Sequence, residues 1–549
     1  MLYSRREALA QLAALVALPL TGRGVIPSER SESRDLHFAF ASPLDGTILE
    51  YQAGRARGQW TSARITAEAI ERCRNEGMRW RAIDQMATNL IAIARDSDLR
   101  LRKGRLFGML DGVPVFAKSI YDMNGMRTTG SNAEWGAKFK NDLLRRDALE
   151  ITRLRAAGAV VLGKTAADDF AYHGNGTSSL TGQVLNPYDP TKTRTPGGSS
   201  AGSAVAVADG MAFAALGTDD GGSNRIPAQF TGVVGVKPTF GLVARSGVIP
   251  TWPYLDTHGS LARTVADAAQ MLAVIAGADP SDPLTRPVAS NEVTLATLPK
   301  LRDDALAGVR LGVVEAHVPR AQMTAEAIAT WDRAVDDLRA AGATVETFDA
   351  AVTRVNYRDL FAEAAKARND VDVDPKSPAP TANALLRYFS GRTADPRMND
   401  PKLGIRNGYA AFRSFYDVLP PTFEGALPLF DRPMLDDPAG RSFARSRESV
   451  VQMLADSMKA ANVVAMVYPT MPFNAPKAAD PWPDIRTPLG YGNWLGIPEV
   501  SVPAGYGADG MPALNVSIVG LPGEDARVLS LAHAYERKSK HFHPPSRST

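Results

Sequence analysis

Cysteine is almost missing from this chain of 549 residues: Cys73 stands alone, which excludes an internal disulfide and a zinc cluster of cysteines. It falls with Ile65, Ala69 and Ile70 on one face of an expected helix and reads as a small buried hydrophobe. Histidine is scarce too, seven residues with no pair at convincing metal-ligand spacing, so no metal site is expected. No cofactor is expected either. The formal net charge is only +3. A nucleic-acid or acidic-membrane partner would require clustered basic residues, and none is expected. Beyond the N-terminus no apolar stretch is long enough to span a bilayer, and no internal repeat is visible.

What is there is ordinary globular composition, 44% apolar and 22% charged, enough to bury a large core. Ser4-Arg5-Arg6 followed by an apolar run from Ala8 to Leu20 resembles a twin-arginine export signal over residues 1–30. That predicts a periplasmic or secreted protein, or a cytoplasmic one if the segment is only an amphipathic helix. Helices are expected from Thr61 or Ser62 to Asn75, over Ile83–Arg95, near Asp147–Ala157 and over Ser203–Asp209. Val113 and Val115 start a strand that delivers Lys118 at its end, and Ala159–Leu162 is a short buried strand. Thr264 and Asp267 make an N-cap pair. Strands at Val309–Val314, Thr344–Thr347, Val463–Val467, Val500–Val502 and Leu514–Val519 alternate with helices Thr324–Ala341 and Asp525–Glu536. Such alternation implies an α/β fold, one large α/β/α sandwich over residues 40–536 with helices on both faces of a central twisted mixed sheet. Residues 350–450, rich in Arg, Asp, Pro and aromatics, break the alternation, and the tail 537–549 is expected to be disordered.

Two serines are each pressed against a glycine pair. Ser199 lies in Thr-Pro-Gly-Gly-Ser-Ser-Ala-Gly-Ser, and Ser223 in Gly-Thr-Asp-Asp-Gly-Gly-Ser-Asn-Arg-Ile-Pro. Paired glycines let a backbone aim successive N–H groups at a ligand. A hydroxyl on such a loop, with a second hydroxyl and the amine of Lys118 in reserve, supplies acyl-transfer parts without histidine.

The stretch from Gly112 to Thr264 resembles the amidase signature family, serine hydrolases that cleave carboxamides through a Ser–cis-Ser–Lys triad. The likeness rests on Gly112-Val-Pro to Lys118, Met126-Arg-Thr-Thr-Gly-Ser131, Gly163-Lys-Thr165, Asn186-Pro-Tyr-Asp189, both serine loops, Gly235-Val-Lys-Pro-Thr239, Leu255-Asp-Thr257 and Ala262-Arg-Thr264. Tyr468-Pro-Thr-Met-Pro472 and the run Gly496–Gly505 resemble the family's C-terminal strands. The resemblance implies that Ser223 is the nucleophile, Ser199 (after a cis Gly198–Ser199 peptide) the proton relay and Lys118 the ultimate base. A lysine accepts a proton near neutral pH only if burial lowers its pKa by several units. The run Asp220-Gly221-Gly222 would form the oxyanion hole, where one donor is worth roughly 3 kcal/mol of barrier. Asp219 and Arg225 are expected to brace that loop and Asp122 the loop beyond Lys118; residues 350–450 correspond to the family's substrate funnel.

Two other motifs match by letter and fail physically. Gly158-Ala-Val-Val-Leu-Gly-Lys-Thr165 fits a phosphate loop, but its intervening residues are an apolar strand. Gly198-Ser-Ser-Ala-Gly202 fits a nucleophile elbow at Ser200, with His258, His317 or His533 as its base, yet Pro-bearing residues 189–197 cannot be the strand that an elbow requires. The sequence also departs from the family's pattern at Ser119, Ala201 and Asn224. Tyr121, Trp135 and Tyr172 suggest an apolar or aromatic acyl pocket. The expected activity is hydrolysis of a small-molecule carboxamide through an acyl-serine, by a possible homodimer. Alternatives are an ester or carbamate hydrolase with the same triad, and the glutamine-amidase subunit of a tRNA-dependent amidotransferase, whose cytosolic partners conflict with export.

Overall fold

Backbone pairing in the computed structural model, which describes residues 42–138, 140, 143–285, 301–350, 356–370, 373–390, 401–485 and 487–546, organises the chain around one mixed sheet. The export-signal segment 1–30 lies outside the described residues. In chain order the strands are β1 (Ile83–Met86), β2 (Pro114–Lys118), β3 (Val160–Thr165), a small hairpin of β4 (Thr177–Ser178) and β5 (Gly182–Gln183), β6 (Ala214–Asp219), β7 (Val234–Lys237), β8 (Thr257–Ala262), β9 (Arg310–Val313), β10 (Thr344–Thr347), β11 (Ala465–Pro469), β12 (Glu499–Tyr506) and β13 (Pro512–Val519). Eleven of them form the sheet in the order β1-β3-β2-β6-β8-β7-β12-β13-β11-β9-β10.

Strands β2, β3 and β6 run parallel side by side, and every residue in them is buried. That is why each starts as a continuous apolar run rather than an alternating one, before the polar residues at its end. Helix Ala201–Ala208, made of Ala, Gly, Ser and Val, packs against all three. Its small side chains let it approach closely beneath the first serine loop. Helix Val265–Ile275 is capped by Thr264 Oγ1, which accepts from Asp267 N at 3.1 Å, and Ala325–Ala340 is capped in the same way by Thr324. The main core is continuous from Leu44 to Tyr535.

Two expectations are corrected. Ile83–Arg95 is not one helix: Ile83–Met86 is the edge strand β1, antiparallel to β3, and a helix begins only at Leu90. The run Ile-Asp-Gln-Met suits either state, and pairing with Gly163–Thr165 decides it. The tail is also ordered further than expected. The last helix continues to Ser539, and His543 stacks on Tyr506 with ring centroids 3.5 Å apart. The region 350–450 supplies helices, among them Tyr357–Lys366, Pro378–Phe389 and Pro401–Phe415. Cys73 is buried in a π-helical turn that follows helix Ser62–Arg72.

Candidate active site

Parallel pairing carries the ends of β2 and β6 to the same edge of the sheet, where open α/β sheets place ligands. Lys118 closes β2 and is wholly buried. Its Nζ lies 2.7 Å from Ser199 Oγ and 2.9 Å from Thr218 Oγ1. Burial pushes the Lys118 pKa down to about 8, against the upward pull of Asp220, Asp168, Asp219 and Asp256.

The first serine loop rests on Asp168. This carboxylate accepts from Gly176 N at 2.9 Å and Thr177 N at 3.0 Å, and burial raises its pKa against those bonds. The Gly198–Ser199 peptide is cis. A Cβ on Gly198 would fall 1.9 Å from Asp168 Oδ2, so no side chain fits there. Ser200, the elbow candidate, spends its hydroxyl on Asn224 Oδ1 at 3.1 Å and Thr218 O at 3.3 Å. Asn224 Nδ2 reaches on to Val236 O, which gives this departure from the family pattern a structural task. Ser119 is likewise occupied, accepting from Ser131 Oγ at 2.9 Å.

Ser223 precedes the short helix Arg225–Phe230, and its backbone carbonyl accepts from Ser200 N at 3.1 Å, which ties the two serine loops together. Among the described residues no side-chain hydrogen bond joins Ser223 to Ser199, and Ser223 faces a cavity instead. The structure therefore brings Lys118 and Ser199 into direct contact and sets Ser223 beside them through the backbone.

One expected oxyanion donor is already committed. Gly222 N donates to Asp219 Oδ1 at 2.7 Å, because the turn folds back on the carboxylate that holds it. Asp220 and Gly221 keep their amides unbonded among the described residues. Asp219 and Arg225 hold this turn. Arg225 donates to both oxygens of Asp219, at 2.8 and 2.9 Å, and to Glu499 Oε2 at 2.5 Å and Asn493 Oδ1 at 2.6 Å. Burial alone would raise the Asp219 carboxyl, but the guanidinium overrides it and holds the pKa well below the usual range. Asp122 accepts from Thr128 Oγ1 at 2.8 Å and from Tyr388 at 2.9 Å, fixing the segment beyond Lys118.

The cavity at Ser223 has a volume of about 640 Å³. Tyr172, Trp252 and Trp482 supply aromatic walls, and His173 and Ile226 also line it. The aromatic expectation is thus corrected for two of its three residues. Tyr172 lines the cavity, whereas Trp135 is buried against Phe170, Phe389 and Phe412, and Tyr121 is buried donating to Gly217 O. The region 350–450 touches the rim: Lys376 Nζ sits 3.6 Å over the Trp252 ring, and Tyr172 donates to Asp417. Thr218, Asp168, Trp252 and Trp482 escaped the sequence reading. Thr218 lies inside the Ser223 motif already quoted, and Asp168 and Trp252 each stand three residues from a quoted motif, whereas Trp482 had no such signal.

The decoys are disposed of by geometry. Lys164 of the phosphate-loop match lies within strand β3 and donates to Thr128 Oγ1 at 2.8 Å. His258 pairs with Glu150 at 2.5 Å and His533 with Asp303 at 3.0 Å, while buried His317 packs against Tyr468 and Tyr491.

Comparison with known proteins agrees in sequence and in fold. The amidase family model matches residues 64–410. A glutamyl-tRNA(Gln) amidotransferase subunit from Symbiobacterium thermophilum is 35% identical, over 83% of this chain and 88% of its own. Its counterpart from Myxococcus xanthus is 33% identical, over 91% and 98%. The X-ray structure of native peptide amidase from Stenotrophomonas maltophilia superposes with a TM-score of 0.73 at 28% identity, covering 92% of this chain and 99% of that one. A family match spanning well over half the sequence, on a superposable fold, leaves one conclusion: this chain belongs to the amidase family and is an enzyme acting on amide C–N bonds.

Proposed function

We propose that Ser223 is the nucleophile of an amide hydrolysis in which Ser199 relays its proton and Lys118 is the base. The observation that supports this most is the 2.7 Å contact between a fully buried Lys118 Nζ and Ser199 Oγ, on the loop whose Ser200 amide binds the Ser223 carbonyl. Ser223 Oγ attacks the carbonyl carbon and its proton passes through Ser199 to Lys118. The amides of Asp220 and Gly221 receive the oxyanion. As the C–N bond breaks, the proton returns by the same route to the departing amine or ammonia. Water then hydrolyses the acyl-serine. Thr218 Oγ1 fixes the direction of the amine. An ester or carbamate would follow the same path.

Two substrate readings share this chemistry. A free carboxamide hydrolase accords with the peptide amidase fold match and with the export-like N-terminus, which would place it outside the cytoplasm. A glutamine-amidase subunit of a tRNA-dependent amidotransferase is the reading that the sequence relatives favour. A fluorophosphonate probe should label the protein at Ser223, and Ser223→Ala should lose both label and ammonia release. Full activity in Ser223→Ala refutes the assignment. Glutaminase activity together with copurifying partner subunits selects the second reading; turnover of free carboxamides by the lone chain selects the first.

A further inference from the structure

No step assigned to Ser223 uses the carboxyl of Asp220. The residue is 5% exposed, and both oxygens are sealed from solvent without an N–H or O–H donor among the described residues. What they face is the carboxyl of Asp256. Asp256 is already provided for, accepting from Trp252 N at 2.7 Å on one oxygen and Thr251 N at 3.1 Å on the other. Two buried carboxylates in contact do not both stay ionised, and buried acceptors without donors are rare. One proton resolves both difficulties, and the existing bonds to Asp256 place it on Asp220.

We propose that Asp220 is a neutral carboxylic acid hydrogen-bonded to Asp256, and that this acid pair is a positioning unit of the reaction, holding the Ser223 turn against the Trp252 loop while keeping a negative charge away from Lys118. The second half rests on the reading of Lys118 as the base. The groups around Asp220 are Lys118 and Tyr121, Asp219, Arg245, Asp256, Tyr416 and Lys376. Arg245 is committed to Asp282, at 2.6 and 2.8 Å, and leaves the pair without a dedicated cation. Burial, with the Asp256 charge behind it, raises Asp220 well above the ordinary carboxylate range, as the geometry requires. An ionised Asp220 would be the foremost carboxylate favouring a protonated, inactive Lys118.

Difference infrared spectroscopy of the full chain at neutral pH, wild type minus Asp220→Asn, should show the C=O stretch of a protonated carboxylic acid that the variant lacks; no such band overturns the proposal. Asp220→Ser provides the same subtraction if the Asn variant does not fold. The acidic midpoint of kcat/KM should agree between wild type and Asp220→Asn within about 0.3 pH unit, because a neutral group is exchanged for a neutral one. A midpoint lowered by about one unit or more means that a negative charge was removed, which also overturns it. Asp220→Asn, which keeps a donor toward Asp256, should retain at least about tenfold more kcat than Asp220→Ala; equal losses refute the positioning role. Fluorophosphonate labelling of wild type separates the two levels. A labelled protein without the infrared band loses only the acid pair, whereas an unlabelled one loses the amidase reading too.

Discussion

Titrating the base is the sharpest test of the triad. Burial lowers Lys118 to about 8, with the Asp220 carboxylate among the charges that pull it upward. At that value about one molecule in eleven carries the neutral amine at pH 7 and about ten in eleven at pH 9, and a neutral Asp220 moves the midpoint lower. Only the neutral amine takes the proton that Ser199 relays, so kcat/KM should rise about tenfold across that interval and level off above it. An ordinary lysine, near 10.4, would give about a hundredfold rise over the same interval with no plateau. Initial rates of ammonia release from a carboxamide, measured from about pH 6 to about pH 10, distinguish the two. Lys118→Arg should fall by about 10²–10⁴-fold at every pH, since a guanidinium stays protonated and general base catalysis is worth that much. A profile flat from about pH 6 upward, a rise still log-linear at about pH 10, or an active Lys118→Arg enzyme would refute the assignment of Lys118 as base.

Arg225→Met leaves Asp219 and Glu499 as buried charges without their shared cation and should cost about 3–5 kcal/mol of stability in denaturant unfolding; a loss below about 1 kcal/mol contradicts the bracing role. Gly222→Ala combines a φ of +122 with a Cβ only 2.2 Å from Leu489 Cδ2, and should reduce kcat at least about tenfold by displacing the Ser223 turn. Wild-type kcat in that variant would show that the turn tolerates the shift.

The reacting residues were legible because acyl transfer without histidine needs local devices that leave marks. Ser199 and Ser223 sit in glycine-paired turns, and Lys118 ends an apolar run. Helix starts at Thr61, Thr264 and Thr324 were legible for the same reason, since a cap bonds an amide only three residues on. The aromatic guess failed at Trp135 because nothing in the chain order says whether a tryptophan faces core or cavity. Ile83–Met86 was misread because a short apolar segment has no fixed state until a partner strand claims it.

Sequence alone determined the family, the alternating α/β architecture and the three side chains proposed for the chemistry. Tertiary structure alone decided that Lys118 meets a serine 81 residues away and a threonine 100 residues away. It also decided that Gly222 gives its amide to Asp219, and that Asp220 turns its carboxyl toward Asp256. Turns and caps are fixed by neighbours along the chain and can be read there. Contacts across parallel strands, and the burial that lowers the pKa of an amine or raises that of a carboxyl, exist only once distant segments have closed around one another.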